Sequence, residues 1–372
     1  MAATGWDREG GRVTWERDMI VRLLDWFAVE GRDLPWRGSR DPYAIWISEA
    51  MLQQTQVKTV IPYWQRWMRE MPDVRSLAAA AESQLLKLWE GLGYYRRVRH
   101  LQSAARRMVE EFGGAVPSEL EALRSLPGVG RYTAGAVGSI AFDRPYPIVD
   151  GNVIRVLTRL RAETGDPRER AVQERLWADA EALVRMAQRT RRRRACSDFN
   201  QALMELGAIV CTPKSPDCGR CPVAAWCAGR EAGRPERYPT RAVRVPTTAR
   251  YYVVLIVRAE GRYWVRRRPS GEVNGGLWEF PNGEVEDPEA GPERFLSEAG
   301  LGRRVRASEW MVVRHAITRY RVTQRAYRVE LPAVPARTNG GEWRRYSELR
   351  DLAFSSAHRR LVRALGALAE LD

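Results

Sequence analysis

The 372-residue sequence is poor in histidine and lysine, and this narrows the chemistry open to it. Its three histidines, His100, His315 and His358, lie far apart in the sequence, which argues against a His-rich metal centre and a Ser-His-Asp triad. Only three of the 61 basic residues are lysines, so arginine supplies nearly all of the positive charge. No apolar run is long enough to cross a bilayer, and the polar residues 1–12 do not resemble a secretory signal.

Positive charge dominates the composition. The 61 Lys+Arg residues outnumber the 46 Asp+Glu residues, so the net charge is +15. Such an excess favours a polyanionic partner, nucleic acid above all, although an arginine bias is also expected of a GC-rich genome. The densest basic run, residues 191–194, either faces phosphate or is a solvated charge run. The length suggests two domains of ordinary size or three small ones.

Residues 14–233 carry apolar residues at helical spacing and almost no alternation of period two, which predicts an all-α domain. Asp41 followed by Pro42 is typical of an N-cap and a first helical position. Ser118 with Glu121 predicts a capping box. The expected helices include 43–54, one ending near residue 126, 131–142 and 151–161.

The stretch 234–249 is rich in proline and arginine and lacks periodicity, which predicts an interdomain linker after a first domain of residues 1–233. Residues 250–372 mix short β-rich runs with helical stretches, which predicts a second domain of the α+β class. The expected strands are 251–257, 263–267 and 321–331, and the expected helices are 292–299 and 358–371.

Four of the five cysteines are close together in the sequence. Cys211, Cys218, Cys221 and Cys227 have the spacing C-x6-C-x2-C-x5-C, and four thiolates without a nearby histidine suit zinc or an iron–sulfur cluster. A single C-x2-C pair favours a compact loop around one [4Fe-4S] cluster, because zinc ribbons usually have two separated pairs. Four free core cysteines are the alternative. Cys196 lies outside the pattern and is expected to be an ordinary buried thiol.

The turn Leu126-Pro127-Gly128-Val129-Gly130 joins two predicted helices. Its glycines let backbone amides approach a phosphate closely, and the following helix adds a positive N-terminus. We therefore expect Leu126, Gly128 and Gly130 at a contact with DNA. Glycine-rich helix connections are common, so the turn becomes specific only together with the cysteine spacing.

These motifs carry a family resemblance. The turn at 126–130, the Asp-Gly-Asn segment at 150–152 and the cysteine loop at 211–227 together resemble the helix-hairpin-helix DNA glycosylases of the endonuclease III superfamily. Within that superfamily, the segments 46–55 and 91–95 and the extra C-terminal domain are similar to the adenine glycosylases. The resemblance implies a helix-hairpin-helix domain with one [4Fe-4S] cluster and a Nudix-like second domain. It further implies a monomer acting on double-stranded DNA with A:8-oxoG or A:G mispairs, in the cytoplasm and near the nucleoid.

Two carboxylates are the candidate catalytic groups. Removing a purine needs a proton for the base and negative charge near an oxocarbenium-like sugar. Glu49 lies among apolar residues, which predicts a raised pKa, unless it occupies the solvated face of its helix. Asp150 is typical of an N-cap. The resemblance implies that Glu49 protonates adenine and then activates water, that Asp150 stabilises the sugar cation, and that Asn152 supports the site.

Other site residues follow from the same resemblance. Bifunctional relatives have a Schiff-base lysine where this chain has Tyr132, so we expect a monofunctional glycosylase. Gln54 and Tyr94 correspond to residues that fill the gap left by a flipped base, unless they are a solvated glutamine and a core tyrosine. The residues expected near the adenine pocket are Trp36, which could equally be core, Arg37 and Gln201.

The second domain departs from the family pattern in two places. The segment 276–283 resembles the lead into a Nudix box, but only Glu298 keeps an acidic position after it. A single carboxylate does not hold catalytic metals, so we expect recognition of 8-oxoguanine instead of nucleotide hydrolysis. Where relatives have Phe-Ser-His in a reading loop, this chain has Ile317-Thr318-Arg319. Thr318 is the expected DNA contact, and Arg319 replaces an imidazole with a permanent cation.

Two other functions are compatible with parts of this pattern. A thymine–guanine mismatch glycosylase also has tyrosine in place of the lysine, but the Gln53-Gln54 pair and the second domain argue against it. A catalytically inactive, cluster-bearing DNA-binding protein would not need both Glu49 and Asp150.

Overall fold

The computed structural model describes residues 12–240, 246–301, 305–317, 319–335 and 340–369. Its contacts divide the chain into two compact units, with the main boundary between residues 243 and 244. Residues up to Ala79 and from His100 to that boundary form the first unit. Ala80–Arg99 and the residues beyond the boundary form the second. Among the described residues, no helix combines the length and the apolar composition that crossing a bilayer requires.

The first unit is built from helices, as the apolar spacing predicts. In chain order the helices are α1 (Arg12–Glu30), α2 (Pro42–Leu52), α3 (Val57–Glu70), α4 (Val74–Ala79), α5 (Glu82–Leu88), α6 (Arg96–Phe112), α7 (Leu120–Ser125), α8 (Arg131–Phe142), α9 (Gly151–Arg161), α10 (Arg170–Arg189), α11 (Ala195–Ile209) and α12 (Ala228–Glu231). Of these, α5 and the first turn of α6 belong to the second unit.

Of the two helix starts predicted from capping residues, the one at Asp41 is confirmed and the one at Ser118 is not. The Asp41 side chain accepts a hydrogen bond from the Tyr43 amide at 2.9 Å and Pro42 opens α2, as predicted. The capping box of Ser118 and Glu121 is wrong. Glu119 occupies the N-cap position of α7 without a side-chain cap, and the Ser118 hydroxyl bonds to the Glu119 carboxylate. Glu121 pairs with Arg124 on the same helix and does not return to the Ser118 backbone.

Among the described residues of the first unit, two clusters of buried side chains connect helices that carry the site. The larger joins α1, α9, α10 and α11 and includes Cys196, which is fully buried as predicted. The smaller joins α2 to α8 through Ile45, Ala136 and Ile140. Gly207 on α11 lets that helix approach α9 closely, since a Cβ there would lie 2.6 Å from the Asn152 Cβ. The two helices that start at the hairpin and at Asp150 are therefore fixed by packing.

The second unit contains a seven-stranded mixed sheet, and the α+β prediction is confirmed. The strands are β1 (Thr248–Ala259), β2 (Arg262–Arg267), β3 (Trp278–Glu279), β4 (Asn282–Val285), β5 (Ala307–Ile317), β6 (Tyr320–Leu331) and β7 (Glu342–Arg345). The order is β3-β2-β1-β6-β5, with β4 also on β1 and β7 also on β2. The β1–β6 pair is parallel, and β5–β6 is antiparallel.

Helices cover both faces of this sheet. They are α13 (Glu293–Glu298), α14 (Tyr346–Leu349) and α15 (Ser356–Ala369). Val254 and Ile256 of β1 pack with residues of α15, whereas Val253 and Leu255 pack with residues of α13. A strand buried on both sides is expected to be continuously apolar, as residues 251–257 of β1 are. The missed strand β5 has only Val313 buried, so its sequence lacks the alternation that would reveal it.

Candidate active site

Glu49 is a buried acid on α2. Its side chain lies among the apolar residues of that helix and is 5% exposed, so the predicted burial is confirmed. Burial, with a smaller contribution from the nearby Asp150 charge, raises the pKa of Glu49 to about 7. A hydrogen bond from Tyr132 lowers this pKa and so limits the rise. A carboxyl group with this pKa is protonated in a large fraction of molecules at neutral pH, which suits a general acid.

The Tyr132 hydroxyl orients that carboxyl group. It donates to Glu49 Oε2 at 2.6 Å and also contacts Met204 Sδ at 3.5 Å. Burial raises the pKa of Tyr132 well above its ordinary value, so the hydroxyl keeps its proton. The residue is on the first turn of α8, directly after the hairpin. It supplies a hydroxyl group and not an amine at this position.

Asp150 is both the N-cap of α9 and a member of the site. Its carboxylate accepts from the Val153 amide at 2.7 Å and from Asn152 Nδ2 at 2.9 Å. Burial raises the pKa of Asp150, and these hydrogen bonds oppose that rise. The charge of Asp150 raises the pKa of Glu49, so the two carboxylates are close enough to interact. The predicted N-cap is confirmed, and the catalytic position of Asp150 stays a prediction.

Arg155 connects this carboxylate to the cysteine loop. Its guanidinium donates to Asn152 Oδ1 at 2.7 Å, to the Gly207 carbonyl at 2.6 Å and to the Cys211 carbonyl at 2.7 Å. Asn152 in turn donates to Asp150. The orientation of Asp150 thus depends on α11 and on the start of the cysteine loop. Arg155 was not among the predicted residues, because one arginine among 58 carries no distinguishing signal.

A second buried carboxylate, Glu205, was also missed. It lies on α11 next to Met204 and is 1% exposed. It accepts from Arg32 Nε at 2.6 Å and Arg37 Nη2 at 3.0 Å. Burial raises the pKa of Glu205, but the hydrogen bonds and charges of the two arginines outweigh it and lower the pKa to about 2. The predicted Arg37 is therefore held in a buried ion network.

The other two residues expected near the base pocket are buried. Trp36 is 7% exposed and makes an edge contact with Trp64, with ring centroids 5.9 Å apart. Gln201 is 5% exposed and donates to the Ser197 hydroxyl at 3.2 Å. Gln201 is one turn from Glu205 on α11. Trp36 is thus a core residue, and its position near the adenine pocket stays a prediction.

The hairpin has the predicted backbone geometry. Gly128 has φ +75°, and a Cβ there would lie 2.6 Å from the His100 Cβ, so only glycine fits. Gly130 is the N-cap of α8, and both glycines are exposed. The Leu126 side chain, in contrast, is 2% exposed and packs inside the unit. Any contact of Leu126 with a ligand must therefore use its backbone.

Gln54 and Tyr94 share an unusual backbone. Their φ angles are +58° and +48°, in the left-handed region that residues other than glycine seldom adopt. Both side chains are exposed, and the Tyr94 ring is 48% exposed. An exposed aromatic ring on a strained backbone is typical of a functional position. Neither the strain nor the exposure is visible in the sequence.

The four cysteines line one cavity together with Arg159. The Arg159 guanidinium, 1% exposed, donates to Cys211 Sγ at 3.3 Å and to the Thr212 carbonyl at 2.7 Å. This buried cation lies where thiolate charge would develop. Burial, with a smaller contribution from the neighbouring cysteines, raises the pKa of the Cys221 thiol to about 12, so ionisation needs the positive charge of a bound metal. The residues fit a cluster held by thiolates.

The spacing of these thiols also bears on the kind of group they suit. Within the described residues, no three side chains of His, Cys, Asp or Glu are grouped as a single metal ion would require. The cysteines instead surround the cavity. Four thiols around one cavity are a ligand set that iron–sulfur clusters use.

The remaining predicted contacts are distributed over both units. Arg192 pairs with Asp25, and Arg194 donates to the Ser197 hydroxyl, so the basic run is partly used inside the first unit. Glu298 pairs with Arg294 on the surface of α13. Arg319 donates to the Tyr320 hydroxyl at 3.0 Å. Thr318, like residues 241–245 of the predicted linker, lies outside the described residues.

Three regions of the chain match known protein families. Residues 47–181 match the HhH-GPD superfamily of base excision DNA repair proteins. Residues 211–227 match the iron-sulfur binding domain of endonuclease III. Residues 252–364 match the NUDIX domain.

Individual relatives extend this similarity to most of the chain. The adenine DNA glycosylase of Mus musculus is 37% identical over 400 residues, which covers 92% of this chain and 76% of that protein. The adenine DNA glycosylase of Mycobacterium tuberculosis (strain CDC 1551 / Oshkosh) is 42% identical over 219 residues, 58% of this chain and 68% of that protein. The solved structure of a thermostable thymine-DNA glycosylase has a TM-score of 0.53 and 30% identity, covering 60% of this chain and 100% of that one.

Proposed function

The chain belongs to the adenine DNA glycosylases of the helix-hairpin-helix superfamily, and we propose that it excises adenine paired with 8-oxoguanine or guanine. The family membership makes it an enzyme of base excision repair that cleaves N-glycosidic bonds and carries an iron–sulfur cluster. The observation that carries the proposal is the presence of two carboxyl groups in different environments. Glu49 has a pKa of about 7, and Asp150 is the N-cap of α9. Two acids in different environments are what glycosidic bond cleavage requires.

In the proposed reaction Glu49 gives up one proton and takes another from water. Glu49, protonated and oriented by Tyr132, donates its proton to a ring nitrogen of adenine as the bond between the base and C1′ breaks. The bonding electrons leave with adenine, and the sugar becomes an oxocarbenium-like cation that the Asp150 carboxylate stabilises. The Glu49 carboxylate then takes a proton from water, whose oxygen bonds to C1′. Adenine and an abasic site are released, and Glu49 is protonated again.

The presence of Tyr132 predicts that the enzyme releases the base without cleaving the DNA strand. A strand-cleaving relative would need an amine to form a Schiff base with C1′. Tyr132 offers a buried hydroxyl that keeps its proton. We propose that the enzyme is monofunctional, so that strand breaks appear only after alkali or heat.

DNA engagement is assigned to the exposed elements of the site. Gly128 and Gly130 present backbone amides and the N-terminus of α8, which suit a phosphate. Gln54 and Tyr94 are proposed to fill the space left by the flipped adenine. Trp36, Arg37 and Gln201 are proposed to line the base pocket, where Glu205 holds Arg37 in place.

The cysteine loop and the second domain complete the proposal. Cys211, Cys218, Cys221 and Cys227 would hold the cluster, which when bound orders the loop that reaches Arg155 and thereby Asp150. We divide the chain into a glycosylase domain (1–233), a linker (234–249) and a recognition domain (250–372). The recognition domain would read 8-oxoguanine, with Thr318 as the proposed contact, in a monomeric enzyme.

A substrate panel tests this function. Single-turnover excision is measured on duplexes that differ only in the mispair: A:8-oxoG, A:G, T:G and A:T, each with and without alkali. We expect adenine release from A:8-oxoG and A:G and strand breaks only after alkali. Thymine release from T:G as fast as adenine release would favour the mismatch-glycosylase alternative. No release from any duplex by protein with its full iron content would favour the inactive DNA-binding alternative.

The second domain is tested with variants of the full chain. Thr318→Ala is expected to reduce the preference for A:8-oxoG over A:G by roughly tenfold, since a lost hydrogen bond to a ligand costs about 1–2 kcal/mol. Arg319→Ala is expected to weaken binding to all duplexes and to flatten the salt dependence if the arginine contacts phosphate. An unchanged preference in both variants would contradict the recognition role of this loop.

A further inference from the structure

The segment Ala80–Arg99 lies inside the region that matches the glycosylase superfamily, yet its contacts place it in the same compact unit as the Nudix-like domain. It contains α5, the first turn of α6 and, between them, the residues 90–95, which we call the tyrosine turn. This turn carries Tyr94. The contacts of the segment with residues 349–359 of the same unit are polar, specific and partly buried.

Glu90 is the centre of these contacts. Its carboxylate accepts from the Phe354 amide at 2.8 Å and from Arg359 Nε at 2.7 Å, and it pairs with Lys87 at 3.1 Å. The Glu90 and Arg359 side chains are only 13% and 12% exposed. Charges withdrawn from water to this degree are stable only while they remain paired. Glu90, Arg359 and Lys87 therefore act together, and we call them the Glu90 anchor.

Lys87 and Arg359 extend the anchor to the backbone. Lys87 Nζ donates to the carbonyl groups of Arg350 and Leu352, and Arg359 donates to those of Leu349 and Leu352. Partial burial lowers the pKa of Lys87, whose side chain is 35% exposed. The loop between α14 and α15 is thus attached to the end of α5 by two cations and one anion.

The anchor continues into the tyrosine turn. The Tyr95 hydroxyl accepts from the Gly91 amide at 3.3 Å and donates to the Phe354 carbonyl at 3.4 Å. The amide of Phe354 is bound by Glu90 and its carbonyl by Tyr95, so Phe354 contacts both ends of the turn. A turn held at both ends has few alternative conformations.

The backbone of the tyrosine turn is strained at Tyr94, because glycine adopts a positive φ readily and tyrosine does not. Gly91 and Gly93 have φ of +104° and +70°, and Tyr94 has φ +48°. Arg97 donates to the Gly93 carbonyl at 3.3 Å and places its guanidinium 5.3 Å from the centroid of the Tyr94 ring. The Trp89 indole also donates to the Gly93 carbonyl, at 3.0 Å. Tyr94 is therefore presented on a defined scaffold while half of its ring remains exposed.

We infer that Glu90 is a positioning residue, through which residues 349–359 of the Nudix-like domain hold Tyr94 in the conformation that fills the space beside a flipped base. This inference rests on the proposed role of Tyr94 in DNA. It assigns to the Nudix-like domain a second task besides reading the lesion. The task is performed by its loop between α14 and α15, not by its reading loop.

The experiment uses full-length protein and a duplex with 2-aminopurine beside the A:8-oxoG mispair, whose fluorescence reports unstacking. Glu90→Gln keeps the shape of the side chain and removes its charge. We expect the single-turnover excision rate to fall roughly tenfold and the fluorescence amplitude to fall with it. The reason is that the hydrogen bonds between the charged groups of Glu90 and Arg359 are weakened. Affinity for undamaged duplex is expected to stay within about twofold. The control Glu330→Gln removes an exposed ion pair with Arg258 on the same unit.

Epistasis separates positioning from a general loss of stability. In a Tyr94→Ala background, Glu90→Gln is expected to lower the excision rate by less than about a further twofold, because the residue that Glu90 positions is absent. If Glu90→Gln lowers the melting temperature, Arg359→Lys replaces it, since lysine keeps the charge but not the hydrogen bond from Nε. Equal effects of Glu90→Gln with and without Tyr94 would overturn the inference.

The remaining outcomes distinguish this inference from the proposed function. Tyr94→Ala could reduce both the excision rate and the fluorescence amplitude while Glu90→Gln and Arg359→Lys change neither. In that case the anchor has no positioning role and the proposed role of Tyr94 stands. If Tyr94→Ala itself changes neither signal, the role of Tyr94 is wrong and the inference fails with it. In both cases, adenine release from A:8-oxoG by the unmodified enzyme still supports the proposed activity.

Discussion

Two glutamates buried in the helical unit have opposite acid strengths. Glu49 on α2 is 5% exposed and has a pKa of about 7, whereas Glu205 on α11 is 1% exposed and has a pKa of about 2. Burial raises the pKa of both. The difference comes from their partners, because Glu49 receives one neutral hydroxyl group and Glu205 receives two guanidinium groups. Burial without a cation produces a proton donor, and burial with two cations produces a permanent anion.

This contrast explains how two buried glutamates of one unit can differ in role, one as a proposed proton donor and the other as an anion that fixes an arginine. In the proposed reaction Glu49 can supply the proton that adenine requires, because none of its described partners is a cation that would stabilise its ionised form. Arg37, which lies at the proposed base pocket, is fixed because Glu205 stays ionised. Exchanging or removing the partners of either glutamate should therefore change the function of the site in a predictable direction.

The largest expected effect is on catalysis at Glu49. Glu49→Gln removes the proton donor but keeps the size and hydrogen bonding of the side chain, so adenine excision should fall by about 10²–10⁴-fold. DNA affinity should change little. Single-turnover kinetics on A:8-oxoG duplex and a binding titration measure the two quantities. Glu16→Gln is the matched control, since Glu16 is also 5% exposed. Near-normal excision by Glu49→Gln would rule out its role as the acid.

The next effect is on stability at Glu205. Arg32→Ala removes two side-chain hydrogen bonds to a buried carboxylate and should lower the free energy of unfolding by about 2–3 kcal/mol. Arg170→Ala, which breaks an exposed ion pair with Glu174, should cost less than about 0.5 kcal/mol. Urea unfolding at pH 7 measures both.

The pH dependence of the same variant sharpens the test. Because the folded pKa of Glu205 is lowered from 4.5 to about 2, its stabilisation is present above pH 4.5 and is lost as the pH falls toward 2. Arg32→Ala should therefore show a smaller loss of stability over that interval than the unmodified protein. Equal acid sensitivity of the two proteins would contradict the assignment.

A smaller effect of opposite sign is expected on stability at Glu49. Its folded pKa is raised from 4.5 to about 7, so ionised Glu49 destabilises the fold, and this destabilisation grows as the pH rises from 4.5 through 7. At pH 8, Glu49→Gln should be more stable than the unmodified protein by about 1–3 kcal/mol. At pH 4 the two should be similar. Thermal unfolding at both pH values checks this, and a variant less stable at pH 8 would show that Glu49 has a cation partner.

The smallest effect concerns Tyr132. Its hydrogen bond lowers the pKa of Glu49, so Tyr132→Phe should raise that pKa further. The acid must be protonated to act, so excision is lost as the pH rises through this pKa. The alkaline limb of the pH–rate profile should therefore move to higher pH in the variant. Tyr146→Phe, which removes a hydroxyl contact with the exposed Glu119, should leave the limb in place. A limb that moves to lower pH would reverse the role given to Tyr132.

The predictions that the sequence supported best depend on short-range patterns. Helices α8 and α9 have the predicted bounds, and the Asp41 cap is confirmed. The helix-hairpin-helix domain with a cluster loop and the Nudix-like second domain are confirmed by the family matches. The capping box at Ser118 failed because α7 begins at Leu120, so that Glu119 is its N-cap, and because Glu121 pairs with Arg124. Strand β5 was missed because one buried residue gives no alternation.

What the amino-acid sequence determined by itself is local. The caps at Asp41 and Asp150, the turn at Gly128 and the cysteine spacing each involve residues within a few positions of one another, so backbone preferences suffice to specify them. Tertiary structure alone decided which groups become partners. Tyr132 meets Glu49 across 83 residues, Arg32 meets Glu205 across 173, and Arg359 meets Glu90 across 269. Acid strength depends on burial and on these distant partners, and both arise only when the helices and the sheet pack.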